Sequence, residues 1–242
     1  FGGDPDEIDL PRHEDYYGFT FVIMLLFAAV VGAALVSPDR RNSVLTLYAV
    51  RPLTSLDYAV GRWLAFFTFA AAFTIVPQLM LYFSFILSDT SPWGYFTDHG
   101  RDLWAIFVVG LILAAFMTSL AMAAASLTNR RAFASAGVIA FVFITAAVAG
   151  VGAELLTSET DRQEYRAAGN FGEDDVKAPD GDAAHFMALL FLPDTMVGTV
   201  SRWTFGTRSH FPISPGYSAG TIAAIITVAS GIMVFRYRKL GA

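Results

Sequence analysis

The chemistry open to this chain is set by a few polar side chains and by where they fall. Gln78 stands beside Pro77 in the middle of a long apolar run, with Thr74 one helical turn before it. At membrane depth a carboxamide and a hydroxyl can bond a neighbouring helix or line a translocation path. The other hydroxyls in such runs are Thr20, Thr68, Thr118, Ser119, Thr145, Thr221, Thr227 and Ser230. Their ordinary use is helix-to-helix hydrogen bonding, worth about 0.6 kcal/mol per contact. His13, His99, His185 and His210 are far apart in polar segments and fit a solvated or interfacial role better than a metal site, which needs convergent ligands. There is no cysteine, which excludes disulfides, thiolate metal sites, iron–sulfur clusters and cysteine nucleophiles. HExxH, GxSxG and the Walker A pattern are all missing from the sequence. The chain is expected to carry no catalytic residue, metal ligand or cofactor site, and to hydrolyse no ATP by itself.

The elements that must position these side chains are long and apolar. Of 242 residues, 55% are hydrophobic and only 15% charged, against about 25% charged in soluble domains. Five stretches carry no charge at all, at 16–36, 63–88, 103–126, 132–152 and 217–235. About 20 apolar residues of helix cross a bilayer. The expected fold is an all-α membrane protein, one polytopic helical bundle over 1–242. Residues 1–15 form the end of an outer loop, 37–62 a cytoplasmic segment, and 153–216 an outer loop holding a second apolar segment at 183–200.

The charges are sorted by side. The segments 37–62, 127–131 and 236–242 hold nine basic and two acidic residues, a net of +7. The rest of the chain holds seven basic and nineteen acidic residues, a net of −12. Lys- and Arg-rich short loops stay in the cytoplasm, so the chain starts outside, crosses five times and ends inside, as a multi-pass protein of the plasma (inner) membrane. It begins at Phe1, without Met or a signal-peptide pattern. A six-span parent with both ends in the cytoplasm is expected.

The segment 37–62 has the most internal structure. Ser37-Pro38 reads as a helix start, with Asp39 favourable at the positive end of the dipole. Val44, Leu45, Leu47, Tyr48 and Val50 then fall mostly on one side, with Arg40 and Arg41 among the polar remainder, giving a short surface helix. Arg51-Pro52 ends it. Thr54 or Ser55 recaps, and the next helix runs through Asp57 and Tyr58 into the second span. In 89–102, Trp93, Tyr95 and Phe96 suggest an interfacial aromatic belt. Pro193-Asp194 interrupts the 183–200 segment, which is too short to span and fits a re-entrant element. Gly216 and Gly220 open the last span with a small-residue pair suited to helix packing.

The run Leu47-Tyr48-Ala49-Val50-Arg51-Pro52-Leu53-Thr54-Ser55-Leu56-Asp57-Tyr58-Ala59-Val60-Gly61-Arg62 resembles a stretch of ABC-2 type transporter permeases, where an LYLSRPLSRxDYxxGK-like segment follows the second span and leads into the third. The Leu-Tyr, Arg-Pro-Leu, Asp-Tyr and Gly-Arg elements stand in the same order. The rest of the chain agrees in topology only. The resemblance implies the membrane-spanning subunit of an ABC exporter: a homodimer or paralogous heterodimer of permeases, driven by two ATPase subunits that carry the ATP and Mg. It makes 37–62 a coupling segment seated on the ATPase. Arg40, Arg41, Arg51 and Asp57 are then its polar contacts, Leu45, Leu47 and Tyr48 its apolar anchors, and Tyr58 lies at its exit. The 183–200 segment becomes an outer gate with Phe186, Phe191 and Pro193. The span and cytoplasmic helix that open the family's pattern have no counterpart here.

Two other readings compete. One is a non-transporting accessory or assembly subunit of another membrane complex, with 37–62 lying on anionic lipid, where each Arg gains about 1 kcal/mol. The other is an intramembrane enzyme, for which the spans hold no paired carboxylates, histidine cluster or nucleophile with its base. Charge-free spans favour an amphiphilic or lipid-like cargo over a strongly charged one. Partners are the bilayer and other protein subunits, not nucleic acid.

Overall fold

The computed structural model describes residues 13–32, 34, 55–128, 130–156, 193–207 and 214–240. These are almost entirely helical, with no strand among them. Helix α1 (His13–Phe27) runs into a π-helical turn, Ala28–Gly32. There follow α2 (Ser55–Ser88), the short α3 (Pro92–Asp98), α4 (Gly100–Leu127), α5 (Arg131–Leu156), α6 (Pro193–Phe205) and α7 (Pro215–Leu240). Asp57–Ser88, Gly100–Leu127, Arg131–Ala149 and Pro215–Arg238 are long and apolar enough to cross a membrane. Tyr16–Gly32 is a shorter apolar helix. The chain is thus a helical membrane protein, and the span expected at 16–36 is described only as far as Gly32, with Ala34 beyond it.

The helices outrun the charge-free stretches that announced them. α2 starts at Ser55 rather than at residue 63, because Asp57 in its first turn suits the dipole and a helix need not stop where the hydrocarbon does. Its 34 residues extend for about 51 Å at 1.5 Å per residue, well beyond an apolar core of about 30 Å. Pro77 lies inside it without ending it.

α4 is the axis of the bundle. Its contacts fix every other register. Thr74 and Trp63 of α2 bond Gly110 and Ser119 of α4, so those helices are antiparallel. The Tyr17 hydroxyl of α1 donates to the Ile106 carbonyl at 2.8 Å. Further along, Gly32 meets Ala121, so close that a Cβ at Gly32 would stand 2.5 Å from the Ala121 methyl. α1 therefore runs parallel to α4. Ser230 of α7 bonds Ser119, and Arg236 reaches the Leu127 carbonyl, so α7 is antiparallel to α4. One end of the bundle collects Arg62, Arg130, Arg131, Arg236 and Arg238, and the other Asp89, Asp98, Arg101 and Asp102. The charge sorting in the sequence is a sorting between two ends of one bundle.

Two stretches depart from expectation. Residues 89–102, read as a loop, contain α3. Ser91 caps it by accepting from the Gly94 amide at 3.3 Å, Pro92 fills its first position, and the Asp89 carboxylate takes the Ser91 amide at 2.8 Å. The 183–200 segment is also redrawn. Pro193 opens a helix instead of interrupting one, and that helix continues past residue 200 through Arg202 to Phe205. Residues 183–192 lie outside the described residues.

Candidate functional site

Three polar features meet on α4. At the first, Thr74 is fully buried and its hydroxyl lies within 3.2 Å of the carbonyls of Ala70, Ala71 and Gly110. The last of these crosses to α4. Gly110 makes the approach possible, since a Cβ there would stand 2.6 Å from Ile75 Cγ1. Gln78, one turn further along α2, is fully buried as well. The two residues expected on a translocation path are therefore brought to one face of α2, packed inside the bundle.

The second feature is a three-helix node. Trp63 Nε1 of α2 donates to Ser119 Oγ of α4 at 3.1 Å, and Ser230 Oγ of α7 lies 3.4 Å from the same oxygen. Such a node ties helices that share no other directional contact in an apolar medium. Thr118 of α4, Thr199 of α6 and Ser218 of α7 are buried too, and their hydroxyl oxygens have no hydrogen-bond partner among the described residues.

The third feature is α6 and its latch. This helix is short and polar in composition, yet Met196, Val197, Thr199, Val200 and Ser201 are all buried, packed among α1, α4 and α7. It ends at Gly206, whose φ of 84° is open to glycine at little cost. The Gly206 amide bonds Trp203 O at 3.2 Å and the Thr207 amide bonds Arg202 O at 2.9 Å, the paired closure of a Schellman end. Two carbonyls that this closure leaves or shares are taken by Arg101: Nε donates to Thr204 O at 3.0 Å and Nη2 to Trp203 O at 3.1 Å. Arg101 belongs to the first turn of α4, so the carboxyl end of α6 is clamped to the amino end of α4. α6 therefore reaches inward from that end for about 20 Å, its 13 residues rising 1.5 Å each. Around the same end the Tyr95 ring stacks on His99 at 4.1 Å. Burial pushes the Tyr95 phenol above its usual range, with the Asp102 carboxylate adding to the shift. Neither Arg101 nor Gly206 was expected to matter. The available signals were a lone arginine in an acidic loop and a glycine closing an apolar run.

Of the coupling residues, Asp57 and Tyr58 fall on the first turns of α2. Tyr58 is half-buried, its ring 5.9 Å from that of Tyr237 at the end of α7, and the Arg62 guanidinium lies over it at 5.4 Å. Arg40, Arg41, Leu45, Leu47, Tyr48 and Arg51 lie outside the described residues, as do Phe186 and Phe191 of the expected gate. Pro193 is the first residue of α6. Gly216 and Gly220, expected to pack helices, meet nothing closer than the Ser214 hydroxyl at 3.7 Å, and the close approaches fall instead to Gly32 and Gly110. Among the described residues no three of His, Asp and Glu gather as a metal site. A cavity of about 580 Å³ opens between α5 and α7 over α4, and neither Thr74 nor Gln78 lines it.

No protein-family profile matches the chain, and no curated protein matches it.

Proposed function

We propose that this chain is the membrane-spanning subunit of an ATP-driven exporter of the ABC-2 type, working beside a separate ATPase and moving an amphiphilic or lipid-like substrate. The observation that carries this reading is the continuity of α2. The run that resembles the permease coupling segment, residues 47–62, ends on a helix that proceeds without a break from Ser55 to Ser88. A push on Asp57 and Tyr58 is delivered along one rigid rod to the contact of Thr74 and Gly110 and on to the far end of the bundle. The Tyr58–Tyr237 contact couples the same push to α7. By the positive-inside rule the end bearing Arg62, Arg130, Arg131 and Arg236 faces the cytoplasm, where an ATPase would sit.

The buried hydroxyls of Thr118, Thr199 and Ser218 fit the same picture. A bundle that opens between α4, α6 and α7 would offer these groups to a substrate. α6, clamped at one end by Arg101, would serve as the outer gate element with Pro193 at its inner tip.

Copurification from the native membrane tests the reading. The expected result is a soluble chain with a Walker A motif whose ATP turnover changes when this protein is present. Tyr48→Ala and Arg51→Ala should uncouple that turnover from transport, lowering transport about tenfold while insertion and ATP hydrolysis persist. A complex without any nucleotide-binding chain, or full transport in both variants, overturns it in favour of an assembly subunit.

A further inference from the structure

α5 and α7 both pack on α4 but leave a slot between them. Its floor is Leu120, Ala123 and Ala124 of α4, and its walls include Gly137 of α5 and Ala224 and Val228 of α7. The space, about 580 Å³, is lined almost wholly by carbon and falls within the range of about 300–1,000 Å³ typical of small-molecule sites. Small side chains at Gly137 and Ala224 keep it open. It faces the lipid side of the bundle.

The slot has a charged mouth. On α7 the lining stripe of Ala224, Val228 and Ile232 steps forward by four residues at a time, and the next step is Arg236. Its Nη2 donates to the carbonyl of Leu127, itself a lining residue, at 3.5 Å. Its Nε is buried without a hydrogen-bond partner among the described residues. On the opposite wall the Arg130 guanidinium lies 5.9 Å over the ring of Phe133, another lining residue. Two guanidinium groups thus flank one end of an apolar channel. A buried cation left without a counter-charge is costly, and an anion at this spot removes the cost.

We infer that the slot between α5 and α7 is a binding site for an anionic phospholipid, with one acyl chain along the channel and the phosphate between Arg236 and Arg130. The acyl chain gains little by leaving bulk lipid for this slot, since lipid tails are as apolar as the walls. Selectivity must therefore come from the headgroup. A zwitterionic headgroup brings its own cation beside the phosphate and so loses most of the attraction. This inference is independent of the exporter reading, because it requires neither an ATPase nor transport.

The test uses the purified protein in nanodiscs with a phospholipid carrying a photoreactive group in its acyl chain. With phosphatidylglycerol as the probe, labelling is expected on Ala224, Gly137 and their neighbours. Unlabelled phosphatidylglycerol should compete and phosphatidylcholine should not. Arg236→Gln and Arg130→Gln should each reduce the preference about fivefold, as expected for one arginine at an anionic headgroup. Ala224→Phe, which fills the slot from its open side, should abolish labelling there while the protein elutes unchanged in size. If Arg236→Gln fails to fold, the exposed Arg130→Gln carries the comparison. Equal labelling by the two headgroups overturns the inference. So does an Ala224→Cys variant of this cysteine-free chain that crosslinks to a second copy, which would mean that protein covers the slot.

Discussion

α5 and α6 invert what is familiar from proteins in water. α5 is long and overwhelmingly apolar, and only 17% of its apolar window is buried within the bundle. Phe133, Phe143, Ile144, Val148 and Val151 all point outward. α6 is short and carries Thr199, Ser201 and Thr204, and these are buried among three neighbours. Lipid offers no hydrogen bonds, so polar groups go inward to find them, and it does not expel carbon, so carbon need not. Hydrophobicity decides that this chain enters a membrane. Which helix stands in the middle is decided by shape and by a few polar contacts.

The contrast is broken most directly with one residue type in two places. Phe116 on α4 is 1% exposed and Phe143 on α5 is 67% exposed. Phe116→Ala should cost about 3–5 kcal/mol, as buried phenylalanines do. Phe143→Ala should cost close to nothing, because lipid refills the space. Thermal unfolding in detergent, followed by size-exclusion chromatography, reads both. Similar losses at the two sites would mean that α5 is covered by another protein surface rather than by lipid.

A smaller effect is expected at the α6 latch. Arg101→Ala removes two charge-assisted bonds from an exposed guanidinium, for a loss of about 1 kcal/mol. The loss should be local: hydrogen exchange should quicken at the carboxyl end of α6 and stay slow in α4. Uniform quickening would place Arg101 among the supports of the whole bundle.

The smallest effect should have the opposite sign. Thr199→Val keeps the shape and removes a buried hydroxyl that has no described partner. Stability should stay level or rise by up to about 1 kcal/mol. A fall of more than that would show that the hydroxyl is already bonded, and would take Thr199 out of the set of groups available to a substrate.

Much of the architecture was legible in the sequence because charge marks the ends of helices in a bilayer. The charge-free runs located α2, α4, α5 and α7, and the basic and acidic segments fall at opposite ends of the bundle. The choice of central helix was not legible. α4 and α5 have nearly equal hydropathy, 2.4 and 2.3, yet 72% and 17% of their windows are buried. The difference arises from contacts between residues far apart in sequence, such as Gly32 with Ala121 and Thr74 with Gly110, and no single helix encodes them. The Gly216 and Gly220 pair had the right spacing and no helix beside it. α3 was overlooked although Ser91-Pro92 is the same start signal as Ser37-Pro38, because its surroundings are polar and short. Of the candidate site, Thr74 and Gln78 were found by their polarity at depth. The Arg101 clamp on α6 depends on a tertiary contact that spans 103 positions of sequence.

The π-helical turn Ala28–Gly32 has a consequence for how this chain can change. A wider turn accommodates one residue more than an α-helix would in the same rise, and such turns behave as absorbed insertions. Removing one residue there would let the turn tighten, and everything beyond it would swivel by about 100°, one step of an α-helix. Gly32 would then no longer meet Ala121, and a bulkier side chain would be pressed against the central helix. Length at this spot is fixed by the neighbour, so a single-residue deletion should be tolerated less well there than almost any point substitution on the lipid face.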